Sequence, residues 1–321
     1  MTAPISATET NCLDASVIIA TRNSGGTIIR AIQSALNQSH VELEVVVVDD
    51  HSSDGTRERI AELADPRVHY FSLPVQIGAA YARNFGISRA EGEWIVILDA
   101  DDAMHSTRLF KMIGSARTAE ADCALDHIEA VDEDGQKLEK FIDPFVPGVL
   151  DLEAYIRGNI LFGSAGLGYL KPILRRAFLN ELDIKYRTEL RIGEDFALIC
   201  DVLLGSGHVL LTSGSDYVYT RHNSSSSYRS SSDDIRKMIS YDDYLQRHYA
   251  VGNCETLQST IAAHKDALDR LLTHAILAES FHSGRVHEFM SQILSKRGSI
   301  PFLWSIVRKR FGRFVQLIGS R

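Results

Sequence analysis

Three carboxylates stand directly after an apolar run in residues 94–105, which read WIVILDADDAMH. They belong to Asp99, Asp101 and Asp102, and negative charges this close repel one another strongly in a concave site. A divalent cation removes that repulsion, because hard cations such as Mg²⁺ and Mn²⁺ prefer carboxylate oxygen. Since protein carboxylates usually hold Mg²⁺ together with substrate phosphates, these acids predict a metal beside a phosphate-bearing ligand. The alternative is a strand end that leads into a solvated turn and a helix N-cap.

A second acidic pair, Glu194 and Asp195, stands at the predicted start of a helix in the sequence GEDF. A transfer reaction with a hydroxyl nucleophile needs a carboxylate that takes up the proton, so this pair is a candidate for the general base. Helix capping explains the same two acids without any catalysis. Asp201, farther along the predicted helix, is a weaker candidate because we expect it on a solvated face.

Two more segments carry polar residues that suit a nucleotide. In VVVVDDHSSDGT (45–56), Asp49 and Asp50 follow an apolar run, where a carboxylate accepts hydrogen bonds from a base or a ribose. A helix start capped by acids explains this segment equally well. In GAAYARNFGI (78–87), Arg83 lies on a predicted helix just before the acidic strand. It is either a cation that faces a diphosphate or a surface arginine.

Several functional classes are disfavoured by what the sequence lacks. No GxGxxG lies between the first predicted strand and helix, and no GxxxxGK[ST] occurs, so a Rossmann dehydrogenase and a P-loop protein are disfavoured. The net charge of −8 argues against a nucleic-acid partner. The four cysteines form no CxxC pair, which argues against zinc and a disulfide framework and fits a reducing, cytosolic compartment.

The first 120 residues alternate between apolar runs and helical periodicities. Strands are predicted at 15–21, 43–50, 67–73 and 94–99, and helices at 24–38, 53–64 and 77–90. This alternation predicts right-handed crossovers and a largely parallel sheet, whose ligands bind beyond the carboxyl ends of the strands. Thr21, Asp49, Asp50 and Asp99 all fall at those ends, so one edge of the sheet is the candidate site.

The alternation breaks down after residue 120. Residues 122–140 predict a hairpin with DEDGQ as its turn, and the glycine-rich residues 163–170 are expected close to a ligand. Residues 190–207 predict a loop that feeds a helix, and residues 235–296 are expected to be helical. A serine-rich loop at 222–234 separates these two regions.

Taken together, five segments resemble the family-2 glycosyltransferases, which have the GT-A fold. They occur in the family's order as SVIIATRN (16–23), VVVVDDHSSDGT (45–56), GAAYARNFGI (78–87), ILDADD (97–102) and GEDF (193–196). The match covers residues 14–205 and is closest to bacterial exopolysaccharide transferases of the succinoglycan type. It implies an α/β fold with a mostly parallel central sheet flanked by helices and a helical C-terminal extension.

The resemblance also implies a role for each matched residue. Those that would contact the nucleotide and diphosphate of a UDP-sugar are Thr21, Asn23, Asp50, Arg83 and Asp99. Asp101 or Asp102, in the DxD motif, would bind Mn²⁺ or Mg²⁺. Asp195 would be the catalytic base, and Glu194 would help to place it or bind the acceptor. The implied regions are a flexible N-terminus (1–13), a nucleotide-sugar-binding half (14–120), an acceptor-binding and catalytic half (121–234) and a helical C-terminal region (235–321).

The implied reaction is an inverting, metal-dependent transfer of one sugar from a UDP-sugar, with UDP-glucose as our choice. The acceptor would be a hydroxyl of a glycan or polyprenyl-linked oligosaccharide in exopolysaccharide biosynthesis. The QxxRW motif and transmembrane helices of processive members do not occur in the sequence, which favours addition of a single sugar. Two alternatives stay open: a nucleotidyltransferase, although TRNSGGT (21–27) is a poor phosphate loop, and a sugar-binding module without catalysis.

The C-terminal segment is basic although the protein is acidic. From Arg285 to the end there are eight Lys/Arg against one Asp/Glu, and residues 301–318 mix aromatic with basic side chains. Such a segment either lies in an anionic membrane interface or packs its apolar side on the protein or on a second copy in a homodimer. With no signal peptide and no apolar run of eighteen residues, we expect a cytoplasmic protein, peripheral on the inner face of the membrane.

Overall fold

The computed structural model describes residues 13–138, 145–160, 166–222, 230–249 and 255–282. Several predicted features therefore lie outside the described residues. These are the basic segment 301–318, the helix predicted for 283–296, most of the flexible N-terminus, most of the serine-rich loop and the start of the glycine-rich stretch.

The described residues form eleven strands: β1 Ala15–Thr21, β2 Leu43–Asp49, β3 Val68–Ser72, β4 Trp94–Ile97, β5 Ala103–Met104, β6 Cys123–Leu125, β7 Ile128–Val131, β8 Gly148–Leu150, β9 Ile173–Arg175, β10 Val209–Leu211 and β11 Tyr217–Thr220. Eight of them build one sheet in the order β3-β2-β1-β4-β9-β6-β10-β8. The other three build a small sheet in the order β5-β11-β7.

Helices connect the strands in the described part of the chain: α1 Ile28–Leu36, α2 Thr56–Glu62, α3 Ala79–Arg89, α4 Arg108–Thr118, α5 Leu152–Arg157, α6 Arg176–Glu181, α7 Glu194–Leu204, α8 Ser232–Tyr249 and α9 Glu255–His282. A 3₁₀ turn spans Leu167–Tyr169. None of these helices is long and apolar enough to cross a membrane. The chain divides into two units, Met1–Leu268 and Asp269–Arg321, and of the second the structure describes only the end of α9.

The predicted parallel sheet is present in the first half of the chain. Strand β1 lies between β2 and β4 and is parallel to both, and β3 is parallel to β2. The four consecutive valines of β2 are fully buried, as expected for a strand covered on both faces. Thr21 lies opposite Asp49 in the register, so the strand ends that carry polar residues do meet at one edge.

The later strands change the character of the sheet. Strand β9 runs antiparallel to both β4 and β6, so the sheet is mixed at its centre. The hairpin predicted for 122–140 is wrong in its first half, because β6 joins the large sheet whereas β7 pairs with β11 in the small one. The chain leaves the large sheet at Asp126, whose buried carboxylate binds the equally buried Arg108. Only the DEDGQ turn is found as predicted, closed by one bridge between Val131 and Lys137.

Helix α3 lies directly on the large sheet because Gly86 has no side chain. A Cβ at this position would lie 2.7 Å from Ile18 Cγ2 and 3.3 Å from Val48 Cγ2. The glycine therefore sets the distance between α3 and the strands β1 and β2, and with it the place of every side chain on this helix.

Two glycine-to-alanine substitutions are expected to act in opposite directions. Gly86→Ala should lower the free energy of unfolding by about 1–3 kcal/mol, because the added methyl group overpacks the contact with β1. Gly114→Ala is the matched control, since nothing lies within 4 Å of a Cβ there. It should raise the stability by about 0.5–1 kcal/mol through helix propensity alone. Urea unfolding measures both changes, and a neutral Gly86→Ala would contradict the assigned packing.

Candidate active site

Five charged side chains meet at the edge of the sheet where β1, β2 and β4 end. They come from helix α3, from the loop after β4, from the segment before β9 and from the first turn of α7, and are Arg83, Asp99, Lys171, Glu194 and Asp195. We call them the ion-pair cluster. Four of them were singled out from the sequence, and the structure brings these four together.

Arg83 contacts all three acids of the ion-pair cluster. Its guanidinium donates to Asp99 Oδ1 at 2.7 Å and to Glu194 Oε1 at 2.9 Å, and it lies 3.7 Å from Asp195 Oδ1. The Tyr186 ring lies beneath it, with 5.2 Å between the guanidinium carbon and the ring centroid. Although burial opposes the charged form, Asp195 and Asp99 raise the pKa of Arg83 well above its ordinary value. Arg83 is thus a permanent buried cation and not a surface arginine.

Lys171 is the second cation of the cluster. Its ammonium lies 2.8 Å from Asp99 Oδ2 and 2.6 Å from Asp195 Oδ2, so it bridges the acidic loop and the first turn of α7. Burial favours the neutral amine, but the two carboxylates outweigh it and raise the pKa of Lys171 far above its ordinary value. In return Lys171 and Arg83, against the effect of burial, hold the pKa of Asp99 well below its usual range. Arg83, Lys171 and Asp99 are therefore charged at neutral pH.

Asp195 is held from both sides. Its Oδ2 accepts from Lys171, and its Oδ1 accepts a hydrogen bond of 2.9 Å from the hydroxyl of Tyr186. Helix α7 begins beside it after Gly193, whose positive φ of 72° suits a glycine, and the helix dipole favours acids in this first turn. No side-chain capping bond forms at this helix start, so capping does not explain why the chain has two acids here.

A second contact fixes the loop that precedes α7. Arg191 donates to Asp234 Oδ1 at 3.0 Å, and Asp234 also accepts from the backbone N–H and the hydroxyl of Ser231 at the start of α8. Although burial opposes ionisation, hydrogen bonds from Arg191 and Ser231 lower the pKa of Asp234 to about 2. The loop that presents Asp195 is thus tied to α8 by a charged pair.

The neighbouring acids Asp101 and Asp102 face different surroundings. Asp102 is 1% exposed and accepts from the Tyr217 hydroxyl and from the backbone N–H of Thr220, both at 2.7 Å. Burial, together with Asp99 and Asp101, raises the pKa of Asp102 well above its usual value. Both of its oxygens are engaged with β11, so Asp102 holds the acidic loop on the small sheet.

Asp101, in contrast, presents a carboxylate that is 45% exposed. Its Oδ2 lies 3.7 Å from Nε2 of His222, a buried ring nitrogen without a hydrogen-bond partner. Burial and the charge of Asp99 raise the pKa of Asp101. An exposed carboxylate oxygen is a ligand that Mn²⁺ and Mg²⁺ prefer, and the unsatisfied imidazole nitrogen beside it would favour the transition metal of the two, Mn²⁺. Within the described ranges no three His, Cys, Asp or Glu side chains converge on one point, so Asp101 and His222 do not complete a coordination sphere, to which water and substrate oxygens commonly contribute.

The residues predicted to hold a nucleotide lie at the ends of β1 and β2. The hydroxyl of Thr21 is buried and has no hydrogen-bond partner. Asp50 is buried and accepts from the backbone N–H groups of Ile77 and Gly78 at the start of α3, at 2.7 and 2.9 Å. Asn23, with a φ of 51°, accepts from the backbone of Ser53 and so joins the loops after the two strands. Among these three residues, Thr21 has a buried polar atom without a hydrogen-bond partner in the described part of the chain.

Four residues of the site are not in the sequence-based prediction. These are Lys171, Tyr186, Tyr217 and His222. Lys171 had a readable signal, because a lysine inside the apolar run YLKPIL needs a buried partner. Tyr186, Tyr217 and His222 had none, since isolated residues of these types are common in any core.

Comparisons with a family profile and with known proteins point to the same family. The sequence profile of "Glycosyl transferase family 2" matches residues 16–172. The "Succinoglycan biosynthesis protein ExoO" of Rhizobium meliloti is 39% identical over 241 residues, which cover 74% of this chain and 69% of that protein. The "UDP-Glc:alpha-D-GlcNAc-diphosphoundecaprenol beta-1,3-glucosyltransferase WfgD" of Escherichia coli is 29% identical over 53% of this chain and 64% of that protein.

Two solved structures have the same fold. TarS 1–349 of S. aureus in complex with UDP-GlcNAc superposes with a TM-score of 0.60 at 22% identity, over 88% of this chain and 73% of that chain. The mannosyltransferase PcManGT from Pyrobaculum calidifontis, in complex with GDP-Man and Mn²⁺, gives 0.57 at 16% identity, over 89% and 81%. At these identities the likeness shows the fold alone, and it confirms the predicted GT-A architecture.

The Arg191–Asp234 pair predicts a specific dependence of stability on pH. The pKa of Asp234 is lower in the folded protein than in the unfolded chain, so its contribution is complete above about pH 4 and is lost as the pH falls towards 2. Asp234→Asn should therefore cost about 1–2 kcal/mol of unfolding free energy at pH 7 and progressively less below pH 4.

The neighbouring Asp233→Asn is the control for this measurement. Asp233 is 68% exposed and pairs only with the exposed Lys237 one turn along α8. Its loss should change the stability by less than about 0.5 kcal/mol at any pH. Denaturant unfolding between pH 3 and pH 7 compares the two variants, and equal effects would contradict the role given to Arg191.

Proposed function

The chain belongs to glycosyltransferase family 2, and we propose that it moves one sugar from a UDP-sugar to an acceptor hydroxyl with inversion at the anomeric carbon. One observation carries the proposal. The buried carboxylate of Asp195 is held by Lys171 and Tyr186 and is joined through Lys171 to Asp99 at the end of β4. The proposal is supported by this arrangement, because the carboxylate that would take up the proton lies next to the loop that would hold the departing nucleotide.

For the donor we propose a uridine diphosphate sugar. The unsatisfied hydroxyl of Thr21 and the carboxylate of Asp50 lie at neighbouring strand ends, where a base and a ribose would bind. Arg83, a member of the ion-pair cluster, lies about one turn along α3 from Gly78, whose backbone N–H binds Asp50, so this helix connects the nucleotide end of the site with the cluster. The complex of TarS with UDP-GlcNAc and the UDP-Glc in the name of WfgD are consistent with uridine, and UDP-glucose is our choice of sugar.

We also propose that Asp101 and His222 hold the divalent cation. Of the two acids predicted for this role, Asp101 has the free carboxylate, whereas Asp102 is engaged with Tyr217 and Thr220. Bound Mn²⁺ or Mg²⁺ would supply Lewis-acid stabilisation for the charge on the diphosphate. The complex of PcManGT with GDP-Man and Mn²⁺ is consistent with such a site.

The residues of the chain then divide the work of one displacement. Asp195 takes the proton of the acceptor hydroxyl while the oxygen of that hydroxyl forms a bond to C1 of the sugar. The bond between C1 and the diphosphate oxygen breaks, and its electron pair stays on that oxygen. Arg83 and Lys171, fixed before the reaction begins, stabilise this developing negative charge. Glu194 keeps Arg83 in place, and attack from the face opposite the diphosphate converts an α-linked donor into a β-linkage.

The acceptor in this proposal is a glycan or polyprenyl-linked oligosaccharide in the synthesis of exopolysaccharide or another surface polysaccharide. Support comes from the names of ExoO, a succinoglycan biosynthesis protein, and of WfgD, which acts on a diphosphoundecaprenol-linked sugar. Residues 301–318 lie outside the described residues, so their contact with a membrane surface or a second copy stays a prediction.

Asp195→Asn tests the proposed base and the stereochemistry. With water as the acceptor, the wild type should release UDP and form the β-anomer first from UDP-glucose, which NMR detects before mutarotation. UDP release by Asp195→Asn should fall by about 10²–10⁴, since the amide cannot take up the proton. Asp183→Asn is the control, at a carboxylate that is 82% exposed; Asp201, expected on a solvated face, instead binds Arg187 and Tyr241 and is unsuitable. Near-wild-type turnover in Asp195→Asn, or an α-anomer as first product, would contradict the proposal. A screen of UDP-, GDP- and dTDP-sugars, done beforehand, identifies the donor for this assay.

Asp101→Asn tests the cation site through binding alone. Titration of the protein with Mn²⁺, followed by the EPR signal of free Mn²⁺, should show an affinity at least about tenfold lower for Asp101→Asn and for His222→Ala. Asp183→Asn is the control, because its carboxylate is 82% exposed and pairs only with Lys185. EDTA should abolish UDP release by the wild type. Unchanged Mn²⁺ affinity in Asp101→Asn would remove this residue from the site.

A further inference from the structure

Lys171 occupies a position for which the sequence motifs give no role. Its ammonium is nearly enclosed and touches two carboxylates that serve opposite ends of the reaction, Asp99 at 2.8 Å on the donor side and Asp195 at 2.6 Å on the acceptor side. We propose that Lys171 is a positioning residue that couples proton uptake by Asp195 to departure of the diphosphate. The inference rests on the function proposed above and specifies how Lys171 links its two halves.

The backbone at Lys171 and Pro172 is fixed by hydrogen bonds from two other parts of the protein. The fully buried Arg108 donates to the carbonyl oxygen of Lys171 at 2.7 Å and is itself held by Asp126 at 2.7 and 2.9 Å. The next carbonyl, of Pro172, accepts from the backbone N–H of Ile97 in β4. The ammonium is thus projected from a rigid frame, as a preorganised site needs.

Lys171 orients Asp195 without blocking it. An ionised carboxylate has about four acceptor positions, two on each oxygen. Lys171 takes one on Oδ2 and Tyr186 takes one on Oδ1, which leaves a second position on each oxygen for the hydroxyl of an acceptor. The proton can therefore reach Asp195 while both contacts persist.

The net charge of the ion-pair cluster becomes less negative during the proposed step. Before the reaction the two cations Arg83 and Lys171 oppose three carboxylates, those of Asp99, Glu194 and Asp195, which gives a net charge of −1. When the acceptor proton moves to Asp195, the net charge becomes zero. At the same moment the electron pair of the C1–O bond passes to the diphosphate.

The ammonium of Lys171 loses one negatively charged partner at the moment when the leaving diphosphate gains negative charge and needs a cation. In the ground state the positive charge of Lys171 is balanced by two carboxylates, Asp99 and Asp195. After Asp195 has taken up the proton, only Asp99 balances it. Its field then acts on the nearby diphosphate in a low-dielectric site, where such interactions are strong. Because burial is outweighed by Asp195 and Asp99, which raise its pKa, Lys171 enters the step as a cation and is not itself the base.

The test compares Lys171→Met, Lys171→Arg and Lys171→Ala by UDP release from UDP-glucose. Lys171→Met should lower kcat by about 10²-fold with the donor KM changed less than about threefold, because the cation acts in the transition state. Lys171→Arg, which keeps the charge, should recover at least tenfold over Lys171→Met. Propylammonium should restore Lys171→Ala in a saturable manner, whereas propionamide, which has no charge, should not. Lys185→Met, at a 62% exposed lysine, is the matched control.

Two outcomes would overturn the inference. One is a kcat for Lys171→Met within threefold of the wild type. The other is a Lys171→Arg variant as inactive as Lys171→Met, when circular dichroism shows that both proteins are folded, because Lys171 would then have only a steric role. If Lys171→Ala does not fold, the comparison of Lys171→Arg with Lys171→Met decides. Asp195→Asn in the same assay keeps the two proposals apart. If Asp195→Asn retains turnover the proposed base fails, whereas an inactive Asp195→Asn beside an active Lys171→Met removes only the coupling.

Discussion

Burial of two cations among three carboxylates is the interaction on which the site depends. An isolated buried charge is costly, so Arg83 and Lys171 are stable in place only because Asp99, Glu194 and Asp195 surround them. The partners come from four separate stretches of chain, and each contact therefore fixes a loop or a helix start as well as a charge. The donor end and the acceptor end of the site are one electrostatic unit, and neither can be rearranged alone.

Much of this arrangement was predictable because it follows from local pattern. Apolar runs with polar ends predicted β1, β2 and β4 and the common edge of Thr21, Asp49 and Asp99, since parallel strands end together. Tyr186 and His222 were missed because no spacing rule connects them with their partners, whereas Lys171 was readable as a lysine in an apolar run but its partners were not. The hairpin predicted for 122–140 failed for the same reason, since the pairing of β7 with β11 depends on a strand about ninety residues later.

Asp101 and Asp102 illustrate the limit of a motif. The sequence offers both as metal ligands and does not distinguish them. The structure separates them by burial: Asp102 is enclosed and binds Tyr217, whereas Asp101 faces His222 with an exposed carboxylate and is the acid that we propose for the cation. Side chains of adjacent residues leave the backbone in different directions, so a run of acids divides between holding the loop and holding a ligand. A motif match identifies the loop, and only three-dimensional contacts assign the individual carboxylates.

The small sheet has a consequence for how the protein is made. Its strand β11 follows the acidic loop by more than a hundred residues, yet the Tyr217 hydroxyl and the Thr220 backbone are what bind Asp102. A ribosome that has released only the first half of the chain has therefore produced the sheet edge with its acids but not the groups that secure them. A nascent chain that ends before Tyr217 therefore carries the complete acidic motif without the two groups that bind Asp102 in the folded protein.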